Sequence, residues 1–139
     1  MKNLSFDTGV QEYDLGGKVA VCFNPTDVGF IEKLFESFAS LDRIQEEIRQ
    51  SKEEITDEKE VYRLAKNLDF RMREIINALF GKDVCTPLFG EMNLFASAGG
   101  LPVWANLMLA IAEEVETCMQ GELKQREARI AKYTAKYKK

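Results

Sequence analysis

A Gly-Gly turn flanked by alternating apolar residues, followed by long stretches with apolar residues three and four apart, predicts a mainly α-helical α+β fold. The expected parts are a small N-terminal antiparallel β-hairpin, three main helices and a one-turn helix. At 139 residues the chain suits one domain. The hydrophobic fraction of 45% is ordinary for a globular core, and the charged fraction of 30% is slightly high. No run of about 18 apolar residues is present, so no membrane-spanning helix is expected. Met1–Ser5 lacks the apolar centre of a signal peptide, and a cytoplasmic location is the expectation.

Composition also narrows the chemistry. There is no histidine, which removes the commonest general base, the commonest metal ligand and every Ser-His or Cys-His nucleophile pair. Cys22, Cys85 and Cys118 are far apart and form no CxxC pair, so free buried thiols are expected rather than a zinc site. We expect no catalytic, metal-binding or cofactor-binding residues, and no enzyme.

Residues 2–23 read as the hairpin. Gly16-Gly17 supplies the turn, and Val19, Val21 and Phe23 alternate with Ala20 and Cys22 so that both faces are expected to be at least half buried. Leu4 and Phe6 suggest an earlier strand turning at Asp7-Thr8-Gly9. No GK[ST] follows Gly17, so a phosphate loop is not indicated. The first helix is expected over about residues 25–50, with Asn24 as cap, Pro25 in the first position and Asp27 near the positive end. Its stripe is Ile31, Leu34, Phe38, Leu41, Ile44 and Ile48, widened by Phe30 and Phe35, and core packing explains these aromatics better than a ligand pocket.

The second helix is expected over about 56–80, with Ser51 or Thr56-Asp57 marking its start and Gly81 its stop. Val61, Leu64, Leu68, Met72, Ile75, Ile76 and Leu79 form its stripe. Glu46, Glu47, Glu53, Glu54, Asp57, Glu58 and Glu60 crowd the junction between the two helices and read as a solvated turn rather than a metal site. Thr86-Pro87 can open a single helical turn at Leu88-Phe89, stopped by Gly90. The stretch to Gly100 reads as irregular but ordered, with Leu94 and Phe95 pointing inward. At least one of Gly99 and Gly100 is expected at positive φ.

The last helix is expected over about 101–121, beginning at Leu101-Pro102. Its residues Val103–Ile111 are apolar apart from Asn106, which calls for burial all round. Trp104 is expected to be buried against Phe35 or Phe38. Residues 1–121 then form the globular domain, and 122–139 a charged helical C-terminal extension with apolar residues only at Leu123, Ile130, Tyr133 and Tyr137.

Two surfaces stand out as candidate partner sites. The apolar face Val103, Leu107, Ile111, Val115 and Cys118 is wider than a hairpin and two stripes can cover. In the extension, Lys124, Arg126, Arg129, Lys132 and Lys136 recur at helical spacing. Residues 122–139 carry seven Lys/Arg against two Glu, a net +5 on a chain of net −4, leaving −9 on the rest. Such a basic segment can dock on the acidic body of a neighbouring subunit, and head-to-tail contacts of that kind build rings or open helices. A frayed, solvated tail is the plainer alternative.

Three segments, DLGGKVAVCFNPTDVGFIEKLF, LFGKDVCTPLFGEMN and GGLPVWANLMLAIAEEV, resemble the tail assembly chaperones encoded in tail-gene clusters of Gram-positive siphophages and prophages. The resemblance spans roughly residues 11–116 and includes no catalytic motif. It implies a non-enzymatic protein of the host cytoplasm, absent from the mature virion. The implied partners are the tape measure protein and possibly the tail tube protein, and the apolar face and charge split add self-association as an expectation. A structural or connector component of a phage particle is the alternative, as is a small nucleic-acid-binding regulator using the basic tail. The acidic balance argues against nucleic acid as a partner.

Overall fold

The structure, a computed structural model, describes residues 1–137 and their side chains except those of Tyr133, Thr134, Lys136 and Tyr137. Lys136, counted above in the basic stripe, and Lys138-Lys139 therefore lie outside the described side chains. An N-terminal antiparallel hairpin is followed by three long helices and one short helix, the mainly α-helical fold expected from the sequence.

The hairpin pairs β1 (Gln11–Leu15) with β2 (Val19–Phe23), Gln11 opposite Phe23 and Leu15 opposite Val19. Lys18 N–H donates to the Leu15 carbonyl at 3.0 Å across the Gly16-Gly17 turn. Alternation sends Val21 and Phe23 into the core and Ala20 and Cys22 to solvent, so only one face is buried, not both. The hairpin also begins later than residue 2. Asp7 Oδ1 accepts the Gly9 N–H at 2.8 Å and Gly9 has φ 74°, which turns the chain out of line before it reaches β1. Leu4 and Phe6 stay exposed and make no strand.

α1 (Val28–Glu54) starts three residues later than expected and runs four residues further. Asp27, not Asn24, caps it, accepting the Gly29 N–H at 3.0 Å. Asn24 is already engaged: its Oδ1 accepts the Thr26 N–H at 2.8 Å and its amide donates to the Thr8 carbonyl at 2.8 Å. Pro25 is buried in the resulting turn instead of occupying the first helical position. After the short connection Ile55–Asp57, α2 (Glu58–Phe80) returns antiparallel, placing Arg71 beside Glu47. Asp57 caps it and Gly81, in the left-handed conformation, ends it. Leu34, Leu41, Ile44 and Ile48 of α1 meet Leu68, Met72, Ile76 and Leu79 of α2 in one core.

The hairpin is joined to this pair through aromatic rings. Tyr13 stacks on Phe23 at 4.5 Å, Phe23 on Phe30 at 4.4 Å, and Phe80 tilts against Phe23 at 6.3 Å. Lys82 Nζ adds a hydrogen bond to the Ala20 carbonyl at 2.8 Å.

The connection from α2 to the last helix holds α3 (Cys85–Phe89) and a second, minimal hairpin, β3 (Ser97–Ala98) with β4 (Leu101–Pro102). The sequence did not suggest this ladder. Gly99 and Gly100 form its two-residue turn with φ 63° and 88°, the pair of positive values a tight hairpin of this kind demands. Pro102 thus belongs to a strand, and α4 (Val103–Tyr137) begins one residue later. The helix continues through Gly121 without a break. Its inner face, Trp104, Ala105, Met108, Ile111 and Val115, is buried, whereas Asn106, Leu109 and Ala110 are exposed. The helix is therefore not buried all round. Asn106 has a use on that outer side, donating to the Ala98 carbonyl at 2.9 Å and bracing the small hairpin.

Trp104 is 2% exposed and meets Phe38 edge-on at 5.6 Å, while Phe35 remains in solvent. Its indole N–H donates to Gln45 Oε1 at 2.9 Å, which satisfies the one polar atom that burial would otherwise strand. Trp104→Ala is expected to cost about 3–5 kcal/mol in urea unfolding, as large aromatic truncations in cores do. A loss below about 1 kcal/mol would show that the ring is not part of the core. Gly99→Val or Gly100→Val is expected to cost about 1–2 kcal/mol through backbone strain. A side chain at either position meets nothing within 4 Å, so crowding adds nothing to that figure.

Candidate interaction surface

The positions singled out from sequence separate into two groups. Ile111 and Val115 are 3% and 6% exposed and lie in the chain's own core, not on the open surface expected of them. The stripe reads as one face in sequence, but in the fold its middle is buried in the core cluster. Val103 and Leu107, one side step away on the helix, are half buried. With Leu15, Leu88, Phe89 and Ala110 they line an open groove of about 430 Å³ between the first hairpin's turn, α3 and α4. Leu88, Phe89 and Leu15 were not anticipated as part of this surface. α3 brings Leu88 and Phe89 beside α4 because the chain on both sides of it is held against α2.

That attachment depends on three polar residues of α2 spaced four apart. Asp69 Oδ1 accepts the Leu94 N–H at 2.7 Å while its Oδ2 accepts from Arg73 Nε at 3.0 Å. Arg73 also donates to the Met92 carbonyl at 2.6 Å. Asn77 Oδ1 accepts the N–H groups of Val84 and Cys85 at 2.9 and 3.1 Å. Its amide donates to Asp83, whose carboxyl also accepts the Thr86 N–H at 3.1 Å and is held below the usual carboxylate range by Thr86. The pattern Asp-x-x-x-Arg-x-x-x-Asn beside the apolar stripe of α2 is the signal of this ladder in the sequence.

The basic positions Lys124, Arg126, Arg129 and Lys132 are all exposed on the projecting end of α4, far in sequence from the groove. The acidic junction is partly occupied already: Arg49 pairs with Glu46 and with Glu53, and Arg71 with Glu47 at 3.5 Å. Such exposed pairs contribute little to stability.

The thiols differ from the expectation that all three are buried. Cys85 is buried, Cys118 is partly covered, and Cys22 faces solvent on the open side of β2. Burial pushes the Cys85 thiol up to about 12, opposed in part by the nearby Arg73 charge. Cys118 is raised by burial and by Glu114, and Tyr13, 4.0 Å from its sulfur, is raised by burial and by that thiol. Neither Cys85 nor Cys118 has the lowered pKa of a reactive cysteine. Among the described residues no group of three His, Cys, Asp or Glu converges as a metal site, and no helix is long and apolar enough to cross a membrane.

With an aromatic disulfide reagent at pH 8, Cys22 should react as a free thiol, and Cys85 at least about a hundredfold more slowly until the chain unfolds. Fast labelling of Cys85 in the native protein would contradict its burial. Because the folded thiol titrates above its unfolded value, its contribution to stability is present below about pH 8.5 and declines as pH rises toward the folded value. In comparisons with known proteins, no family model, no curated protein and no solved structure matches this chain.

Proposed function

We propose that this protein is a tail assembly chaperone: a non-enzymatic module that binds the long, helical tape measure protein while a phage tail is built. The observation that carries the reading is the apolar groove formed by Leu15, Leu88, Phe89, Val103, Leu107 and Ala110. It is open to solvent and lies within the stretch covered by the three segments that resemble such chaperones. A shallow apolar groove flanked by a helix suits an amphipathic helix as ligand, which supplies apolar anchors at three- and four-residue spacing. Placement in the host cytoplasm, with release before the virion is complete, belongs to the same proposal.

The test is co-expression with the tape measure protein, scored by how much of it stays soluble and co-purifies. The wild-type chain is expected to hold it in solution. Ala110→Glu, which puts a charge at an exposed position in the groove, should reduce recovery by about tenfold, consistent with loss of an interface anchor. Aggregation of the tape measure protein regardless of this chain would overturn the proposal. So would finding the chain in purified particles, which would make it a connector.

A further inference from the structure

From Glu122 to Lys132 every residue of α4 is exposed, so among the described residues little of its own chain covers this part of the helix. It is not uniformly polar. Met119, Leu123 and Ile130 are 47%, 52% and 57% exposed, and with Arg126 they fall at intervals of four, three and four. That is the repeat of a coiled-coil seam, in which such positions face one partner helix. Two grooves run along it. One, of about 560 Å³, is lined by Thr26, Val28, Met119, Leu123 and Arg126, and the other, of about 330 Å³, by Arg126, Arg129 and Ile130. Glu122 lines both, so they form one continuous track from the start of α1 outward.

We propose that this track receives the same helix from a second copy of the chain, running antiparallel. The charges choose both the partner and the direction. In a parallel pair, Glu122 of one helix would flank Glu127 of the other, and like charges would meet twice. In an antiparallel pair with Leu123 opposite Arg126 of the second copy and Met119 opposite its Ile130, Glu122 flanks Arg129 of the second copy. The two-fold axis repeats that attraction. The arrangement is closed, because each copy offers the same surface to the other. It covers Leu123 and Ile130, and it brings the outer half of each helix back toward the groove beside the exposed Val28 of the other. Arg126, the one charged seam residue, packs its stem against Leu123 and keeps its guanidinium at the rim. A single polar residue in a seam selects one register at some cost in affinity.

The test is sedimentation equilibrium of the full chain, with light scattering as a cross-check and circular dichroism to confirm that each variant stays helical. The wild type should show a monomer–dimer equilibrium. Leu123→Asp and Ile130→Asp alter exposed side chains only and should leave a monomer. Glu122→Arg and Arg129→Glu should each weaken the dimer by about tenfold, since two symmetric pairs change from attraction to repulsion. The double variant Glu122→Arg/Arg129→Glu should return to within about threefold of wild type, because the pair is restored with its signs exchanged. Residues 122 and 129 are two helical turns apart, beyond direct contact within one chain, so that rescue reads a contact between copies. A wild-type chain that stays monomeric overturns the proposal. A dimer that is tightened or untouched by Glu122→Arg also overturns it. Tightening is the result expected of a parallel pair, and equally of a basic helix docked on a neighbour's acidic junction.

Discussion

The polar ladder Asp69–Arg73–Asn77 on α2 is the constraint on which the rest of the architecture depends. The chain between Gly81 and Pro102 has little regular structure to satisfy its own backbone, yet it buries Val84, Cys85 and Leu94 completely. Burying apolar side chains on an irregular segment strands N–H and carbonyl groups unless something else receives them. The ladder does this for Val84, Cys85, Met92 and Leu94, and Asn93 returns a bond to the Ala65 carbonyl at 3.3 Å. Asp69 and Arg73 are also the best-covered ion pair described, with side chains 16% and 17% exposed. Breaking a pair so placed costs more than breaking the surface pairs around Arg49.

Once the connection is held against α2, the position of α4 follows. Ala96 accepts the Val103 N–H at 2.7 Å, the small hairpin turns at Gly99-Gly100, and Asn106 braces that turn from the helix. Trp104 then enters the space beside Phe38 and reaches Gln45, fixing α4 against α1. The first hairpin closes the other end of the core through Phe23, Phe30 and Phe80. The result is a body in which the inner half of α4 is locked and the outer half is left as a projecting helix. That outer half carries the apolar seam for which a second copy of the chain is proposed.

The two apolar surfaces are separate and have different characters. The groove beside α3 is built by tertiary folding from three elements and is framed by few charges. The seam on the projecting helix is built from one element and is bordered by Glu122 and Arg129, residues that can read a partner's charge. The proposed chaperone role draws on the first of these surfaces and the proposed pairing of two copies on the second.

Much of the fold could be read from the sequence because it depends on local chemistry. The Gly16-Gly17 turn, the stripes of α1 and α2, the Asp57 and Gly81 ends and the burial of Trp104 each follow from residue type and spacing alone. The cap of α1 was misplaced because Asn24 is a good cap in isolation. Only the folded chain brings the Thr8 carbonyl to its amide and leaves the cap to Asp27. The 111–115 stripe was read as a partner surface because spacing reveals that a face is apolar and says nothing about what covers it. The groove escaped notice for the same reason: Leu15, Leu88 and Val103 are distant in sequence and adjacent only in three dimensions. What the sequence determined by itself was the first hairpin and the main helices, since turn residues and apolar stripes are local or periodic along one chain. Which of those faces would be covered was decided by tertiary structure, because burial depends on contacts between residues that sequence separation does not predict.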